Sequence, residues 1–297
     1  MGFHQGFRVN TNSAALNTYR SYGNAQAGLE RNIERLSSGM RINRAADDSA
    51  GLSISNRMDN QVRGLQQANR NVQQGNNMLQ TAEGGLNEIG SILGRMRELA
   101  VQSASDTVSS DDRSSLDLEF DQLSAEISRI AESTEYNGQT LLTGTYDGDG
   151  ATDVLTLQVG ADNIASNKLE IQFGDFRSNS AKFGGTDATT LFDASAATLG
   201  LSTLADSQTS IDSLDSMIGV VNNARSEIGA KQNRLEFTSS NLMNSVQNAS
   251  ASMSTIRDAD FAAEAADLAK NQILVQSGTS MLAQANGLSQ NVLALIR

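Results

Sequence analysis

The stretch 211–256, IDSLDSMIGVVNNARSEIGAKQNRLEFTSSNLMNSVQNASASMSTI, decides the fold. Alternating steps of three and four from Ile211 pass through Leu214, Ile218, Val221, Arg225, Ile228, Gln232, Leu235, Ser239, Leu242, Val246, Ala249, Met253 and Ile256. Eleven of these fourteen positions are apolar, and no proline interrupts them. A 3.5-residue repeat sustained for this length keeps one stripe against a partner helix, which is the coiled-coil signature. At about 1.5 Å per residue the predicted rod is roughly 70 Å long, far beyond an ordinary globular helix. The polar exceptions, Arg225, Gln232 and Ser239, share one sub-register, where a seam tolerates a polar residue that fixes register or partner number.

Composition narrows the class. The 297 residues give ample length for a core, yet aromatics are 4% and tryptophan is absent, so burial must come from aliphatic seams. The chain has no proline, where ordinary usage of about 5% would supply roughly fifteen. Proline breaks helix interiors and slows refolding, so its absence suits a long-helix protein exported unfolded. Absence of cysteine excludes disulfides, thiolate catalysis and cysteine metal sites. A net charge of −12 argues against nucleic acid, which needs a basic face. The charge is uneven: residues 1–63 carry eight arginines against five acidic residues, and 131–216 carry three basic against thirteen acidic. An acidic middle predicts a solvent-facing centre, with ends that meet other chains. The first residues, Met1 to Phe7, lack a basic patch followed by an apolar run, and no stretch approaches the ~18 apolar residues of a membrane span.

In chain order, Asn12 or Ser13 is placed to cap a first helix with slots at Ala15, Tyr19, Tyr22, Gln26, Leu29, Ile33, Leu36 and Met40. Ser37 to Gly39 and Asn43 to Asp48 mark a joint. Beyond it Met58, Leu65, Val72, Leu79, Leu86, Leu93 and Ala100 recur every seven residues. Ala68, Gly75 and Ala82 follow in the partner slots, small enough to admit another backbone, and then the bulkier Ile89 and Met96. Asp111-Asp112 opens a third helix at its favourable dipole end, with Leu116, Phe120, Leu123, Ile127 and Ile130. Tyr136-Asn137-Gly138 is a turn, and alternation in 154–159 and 168–173 predicts a β-hairpin across Gly160 to Asn167. Residues 176–200 read as irregular. A last helix carries Leu274, Gly278, Met281, Ala285, Leu288, Val292 and Leu295.

The fold class is therefore mainly α: a long coiled-coil-like bundle with paired N- and C-terminal segments and a small β-hairpin region in the middle. Seams 58–100, 116–130 and 211–256 can close one core. The terminal helices, about 15–40 and 262–296, can pair, but a two-helix pair leaves much apolar surface wet. These ends are expected to stay frayed in the monomer and to order against copies of themselves. A heterologous contact that does not close builds a helical filament.

Specific motifs then identify a family resemblance. Leu36 to Asn43, Ala46 to Leu52, Arg97 to Gln102 and Tyr136 to Gly138 in the first half resemble bacterial flagellin. So do Gly229 to Leu235, Ile256 to Asp260 and Met281 to Asn286 in the second half. Ser289 departs from the pattern, since the family commonly has proline there.

The resemblance implies a filament-core domain of terminal helices (1–44 and 258–297) and a helical shell domain (45–140 and 201–257). It also implies a short variable outer region at 141–200. Subunit contacts are expected at Leu29, Ile33, Leu36, Leu274, Met281, Leu288, Val292 and Leu295. Implied partners are other copies of the chain, an export chaperone on the C-terminal helix, and cap and hook-junction proteins. The implied location is the extracellular filament, reached by type III export without a cleaved signal peptide. O-glycosylation is a further expectation, at Ser178, Ser180 or Thr189. Beside the Leu93–Met96–Ala100 seam, Ile92, Arg95, Leu99 and Gln102 form a second stripe, whose apolar Leu99 asks for a partner on a neighbouring subunit. In flagellins of this pattern vertebrate Toll-like receptor 5 recognises that face, with matching residues at Arg95, Leu99 and Glu119.

Catalysis is not expected: the single His4 lies in the N-terminal segment, and no cofactor is implied. Asp147-Gly148-Asp149 begins like a calcium loop, but Ala151 replaces the third ligand and the closing glutamate is missing. Asn248-Ala249-Ser250 fits a glycosylation triplet but lies on the rod. The rival readings are a hook–filament junction protein of the same superfamily and a coiled-coil scaffold or signalling protein.

Overall fold

The computed structural model describes residues 12–146, 154–178 and 199–295, without the side chains of 14 and 288–295. Helix α1 (Ser13–Ser38) is capped by Asn12, whose side chain accepts from the Ala15 amide. It ends at Gly39, whose left-handed φ of 71° lets its N–H reach the Arg35 carbonyl. Helix α2 (Ser49–Ser103) follows a loop in which Asp48 Oδ1 accepts from the Gly51 amide at 2.8 Å. Ser109 caps α3 (Ser110–Ser133), and Asp111 and Asp112 occupy its first turn, where the helix dipole favours acids.

Strands β1 (Glu135–Tyr136) and β2 (Gln139–Thr140) close a tight hairpin through Asn137 and Gly138. Both turn residues have positive φ, 53° and 77°, as a two-residue hairpin loop requires. Strand β3 (Thr143–Tyr146) pairs with β6 (Phe173–Asp175). The hairpin expected across 160–167 is β4 (Leu155–Gln158) against β5 (Lys168–Ile171), in register from Leu155↔Ile171 to Gln158↔Lys168. Leu169, Ile171 and Phe173 are buried while their neighbours are not, which is what the alternation predicts. Helices α4 (Leu204–Arg257) and α5 (Phe261–Leu295) complete the order.

The chain divides into two compact units, Met1–Gln61 with Asn248–Arg297, and Val62–Gln247. These divisions fall inside α2 and α4. Residues 49–61 of α2 and 248–257 of α4 thus group with the terminal helices.

The second unit holds the main core. None of the fourteen seam positions of α4 is exposed, and Leu214, Val221, Ile228, Leu235 and Leu242 are fully buried. Two of its polar positions are matched across the seam. Gln232 Nε2 donates to Glu83 Oε2 at 3.0 Å, and Ser239 Oγ donates to Asn69 Oδ1 at 2.7 Å. These pairs set α4 antiparallel to α2, whose Leu79, Ala82, Leu86, Ile89, Leu93, Met96 and Ala100 are buried. At Gly75 the space is taken by a side chain, Leu157 of β4, rather than by a second helix backbone, and Leu142 and Thr134 face Gly85.

A buried polar knot fixes the start of α4. Ser103 Oγ donates to the Leu201 carbonyl at 3.0 Å, and Ser207 Oγ donates to Ser103 Oγ at 3.0 Å. Arg113 Nε donates to the Ser103 carbonyl, while Asp117 accepts from the Leu201 amide and the Ser202 hydroxyl. Nothing in the apolar pattern announces this knot, because its members are serines, Arg113, Asp117 and backbone groups.

Candidate assembly surface

In the first unit α1 and α5 run antiparallel, and each contact along the pair steps the opposite way on the two helices. Asn12 Nδ2 donates to the Ala285 carbonyl, Tyr22 lies on Gly278, Asn271 lies on Gly28, and Arg35 Nη1 pairs with Glu264 Oε1 at 2.9 Å. Beyond the helix ends the backbone locks. The Arg41 amide donates to the Arg257 carbonyl at 2.7 Å, the Ala259 amide donates to the Gly39 carbonyl at 3.0 Å, and Met40 bridges Asp258. Asp47 Oδ2 accepts from the amides of Asn43 and Arg44, and these bonds hold its carboxyl below the usual aspartate range. The motif residues 36–48 and 256–260 thus form this joint. Both terminal segments are helical and paired with each other.

The faces in contact keep the expected positions Tyr22, Leu29, Leu36, Gly278 and Ala285 but take Asn32, Val275 and Leu282 in place of Ile33, Leu274 and Met281. On α1 the inward residues are Tyr22, Ala25, Leu29, Asn32 and Leu36, with Ala25 and Asn32 the most buried. On α5 they are Glu264, Leu268, Asn271, Val275, Gly278, Leu282 and Ala285. Of the expected subunit-contact residues, Leu29 and Leu36 are half-buried inside the pair. Ile33, Leu274 and Met281 are exposed instead, as are Leu16, Tyr19 and Ile273; Tyr19 is 67% exposed. Leu288, Val292 and Leu295 have side chains outside the described residues. The helix pair therefore covers one stripe on each helix and leaves bulky apolar side chains in water.

The second expected surface needs correction. Leu99 is 1% exposed and belongs to the core of its own unit. α2 is covered over a wide arc, so a residue about 60–120° from the seam is still inside. Leu99 therefore offers nothing to a neighbouring chain or receptor. Arg95 and Glu119 are on the surface and bind each other at 3.0 Å, and Arg95 also holds Glu98. These bonds to carboxylates raise the Arg95 pKa, Glu119 being the stronger cause.

Ser178 is corrected too: it is 8% exposed, and its hydroxyl shares a 2.7 Å hydrogen bond with that of Ser128. A buried, bonded hydroxyl is not a glycan acceptor. Ser180, Thr189, His4 and the Asp147–Asp149 loop lie outside the described residues, as does most of the segment read as irregular. Among the described residues no group of His, Cys, Asp or Glu is placed to hold a metal, and no helix is long and apolar enough to cross a membrane.

Long helices, a seam-built core and an uncovered apolar stripe define a helical structural protein with a face for other chains. The model of the bacterial flagellin N-terminal helical region matches residues 9–147, and that of the C-terminal helical region matches 211–296. Flagellin of Halalkalibacterium halodurans is 43% identical over 97% of this chain and 99% of its own length. Flagellin of Bacillus subtilis is 40% identical over 98% of this chain and all of its own. A flagellar filament 33 kDa core protein of Treponema phagedenis is 39% identical over 97% and 99%. The chain belongs to the bacterial flagellin family.

Proposed function

We propose that the chain is the subunit of an extracellular flagellar filament, a helical homopolymer that drives swimming. The observation that carries this reading is the stripe of Leu16, Tyr19, Ile33, Ile273, Leu274 and Met281 left exposed by the α1–α5 pair. Bulky exposed apolar side chains on two helices favour burial against further copies, at about 25 cal/mol per Å² removed from water. Full-length relatives named flagellin and filament core protein support the same reading over a closed scaffold.

The same reading extends to partners. A chaperone that masks the outward face of α5 would keep the chain from polymerising before export. Export through the flagellum's own channel would need no cleaved signal peptide, and cap and junction proteins would bound the polymer. Toll-like receptor 5 would meet the monomer through the exposed Arg95 and Glu119, with buried Leu99 supporting the helix beneath. Glycans, where present, would sit at Ser180, Thr189 or other residues of 143–198 rather than at Ser178.

Electron microscopy of the purified protein after salt-induced polymerisation tests the central claim. Long helical filaments are the expected product. Small closed oligomers of fixed size at every concentration would refute it.

A further inference from the structure

The chain has no cysteine, so its sulfur chemistry rests on nine methionines. Those among the described residues separate by exposure. Met78, Met96 and Met217 are 4%, 2% and 1% exposed, inside the core of the second unit. Met243 on α4 and Met281 on α5 are 60% and 59% exposed, and the other described methionines are half-buried. Met217 and Met243 share α4, so one helix carries both a shielded thioether and an open one.

Met281 lies off the α1–α5 seam, which takes Leu282 instead, so its exposure does not depend on that pairing. Seven residues earlier, about two turns along the same side of the helix, Leu274 is also exposed. Met281 therefore belongs to the outward apolar stripe.

A thioether reacts with peroxides. Its sulfur lone pair attacks one peroxide oxygen, the O–O bond breaks, an S–O bond forms, and water leaves. The product, methionine sulfoxide, replaces a flexible apolar side chain with a polar one. Return to the thioether takes a dithiol reductant through methionine sulfoxide reductase: the oxygen leaves as water and the dithiol closes to a disulfide. The oxidant must reach the sulfur, so exposure sets which methionines react first.

We propose that Met243 and Met281 are oxidation sites for peroxides, and that the sulfoxide at Met281 withholds the chain from assembly. The second clause rests on the reading of the outward stripe as a contact between copies. A sulfoxide oxygen pressed into an apolar contact loses its water without gaining a donor. Where the contact is already closed the oxidant is kept out, so the modification falls on subunits not yet incorporated.

The test treats the full-length protein with dilute hydrogen peroxide, quenches with catalase, and maps each methionine by peptide mass spectrometry before seeding. Met243 and Met281 should take up oxygen at least about tenfold faster than Met78, Met96 and Met217. Seeded growth of the treated protein should need about tenfold more subunit than growth of the untreated protein. Reductase with dithiothreitol should restore it. Met281→Leu keeps the apolar bulk and cannot be oxidised, so it should grow before treatment and keep most of that growth afterwards. In preformed filaments Met281 should react at least about fivefold more slowly than in free subunits. Equal rates at the exposed and the buried methionines would overturn the site assignment. Unchanged growth with Met281 fully oxidised, or equal loss in Met281→Leu, would overturn the assembly clause. Failure of the untreated protein to form filaments would instead count against the stripe as a contact between copies, and the relative oxidation rates would still decide the sites.

Discussion

Ser239 and Asn69, 170 positions apart in sequence, meet through a 2.7 Å hydrogen bond inside the α2–α4 seam. The bond turns a polar interruption of an apolar stripe into a specific contact. Its removal by Ser239→Ala is expected to cost about 1 kcal/mol. Leu235→Ala, one turn away and fully buried, is expected to cost about 2–5 kcal/mol through the cavity it leaves. Urea unfolding of the two variants checks both values, and equal costs would contradict the assignment.

The burial of Leu99 changes what its substitution reports. Leu99→Ala should destabilise the second unit by about 2–5 kcal/mol. Any loss of receptor signalling or assembly should then track unfolding, and should recover on cooling or with a stabilising osmolyte. Arg95→Ala and Glu119→Ala, an exposed ion pair, should each shift stability by no more than about 1 kcal/mol. Parallel denaturation and cell-reporter assays separate a lost contact from a lost fold.

Ile33→Ser and Met281→Ser replace outward residues and should leave monomer stability within about 0.5 kcal/mol. Each should nevertheless raise the critical concentration for polymerisation by about tenfold or more. Seeded light scattering measures this. Growth of both variants at native critical concentration would show that the stripe is not a subunit contact.

Removing residues 262–297 takes away α5 but none of 62–247. Circular dichroism should show a cooperatively folded helical protein, and seeded growth should give no filaments. Normal filament yield from the truncated chain would place the assembly surface elsewhere.

Asp47 provides a pH prediction. Its folded pKa is lowered by the Arg44 and Asn43 amides, so its contribution is complete above the ordinary aspartate range. That contribution fades as the pH falls through the lowered folded value. Asp47→Asn should weaken the joint at neutral pH and flatten the acid limb of a stability profile. Amide exchange at residues 43–51 across an acid titration follows it. An unchanged acid limb would show that Asp47 is not among the groups responsible.

The α4 seam, the cap of α3 and the β4–β5 hairpin were legible because periodicity follows burial where a helix or strand faces one core. The terminal seams were legible at Tyr22, Leu29, Leu36, Gly278 and Ala285 and misled at Ile33, Leu274 and Met281, which are exposed. Part of the intrachain contact is made by Ala25, Asn32, Asn271 and Gly278, whose small or polar side chains carry little apolar signal. Leu99 misled for the opposite reason, since a helix packed on more than one side buries an arc wider than one seam. The Ser103–Ser207 knot gave no signal at all, because serine side chains bonded to backbone leave no periodic trace.

The pairing of Arg35 with Glu264 spans 229 positions, so α1 is synthesised long before its partner exists. At about 5–20 residues per second, roughly 10–45 s pass between the two residues leaving the ribosome. Throughout that interval α1 has none of its α5 contacts, and the α5 of a finished neighbouring molecule is the most similar surface within reach. The cell therefore faces a timing problem on every ribosome making this chain. Whatever restrains the C-terminal helix must act on completed molecules quickly enough to protect those still being made.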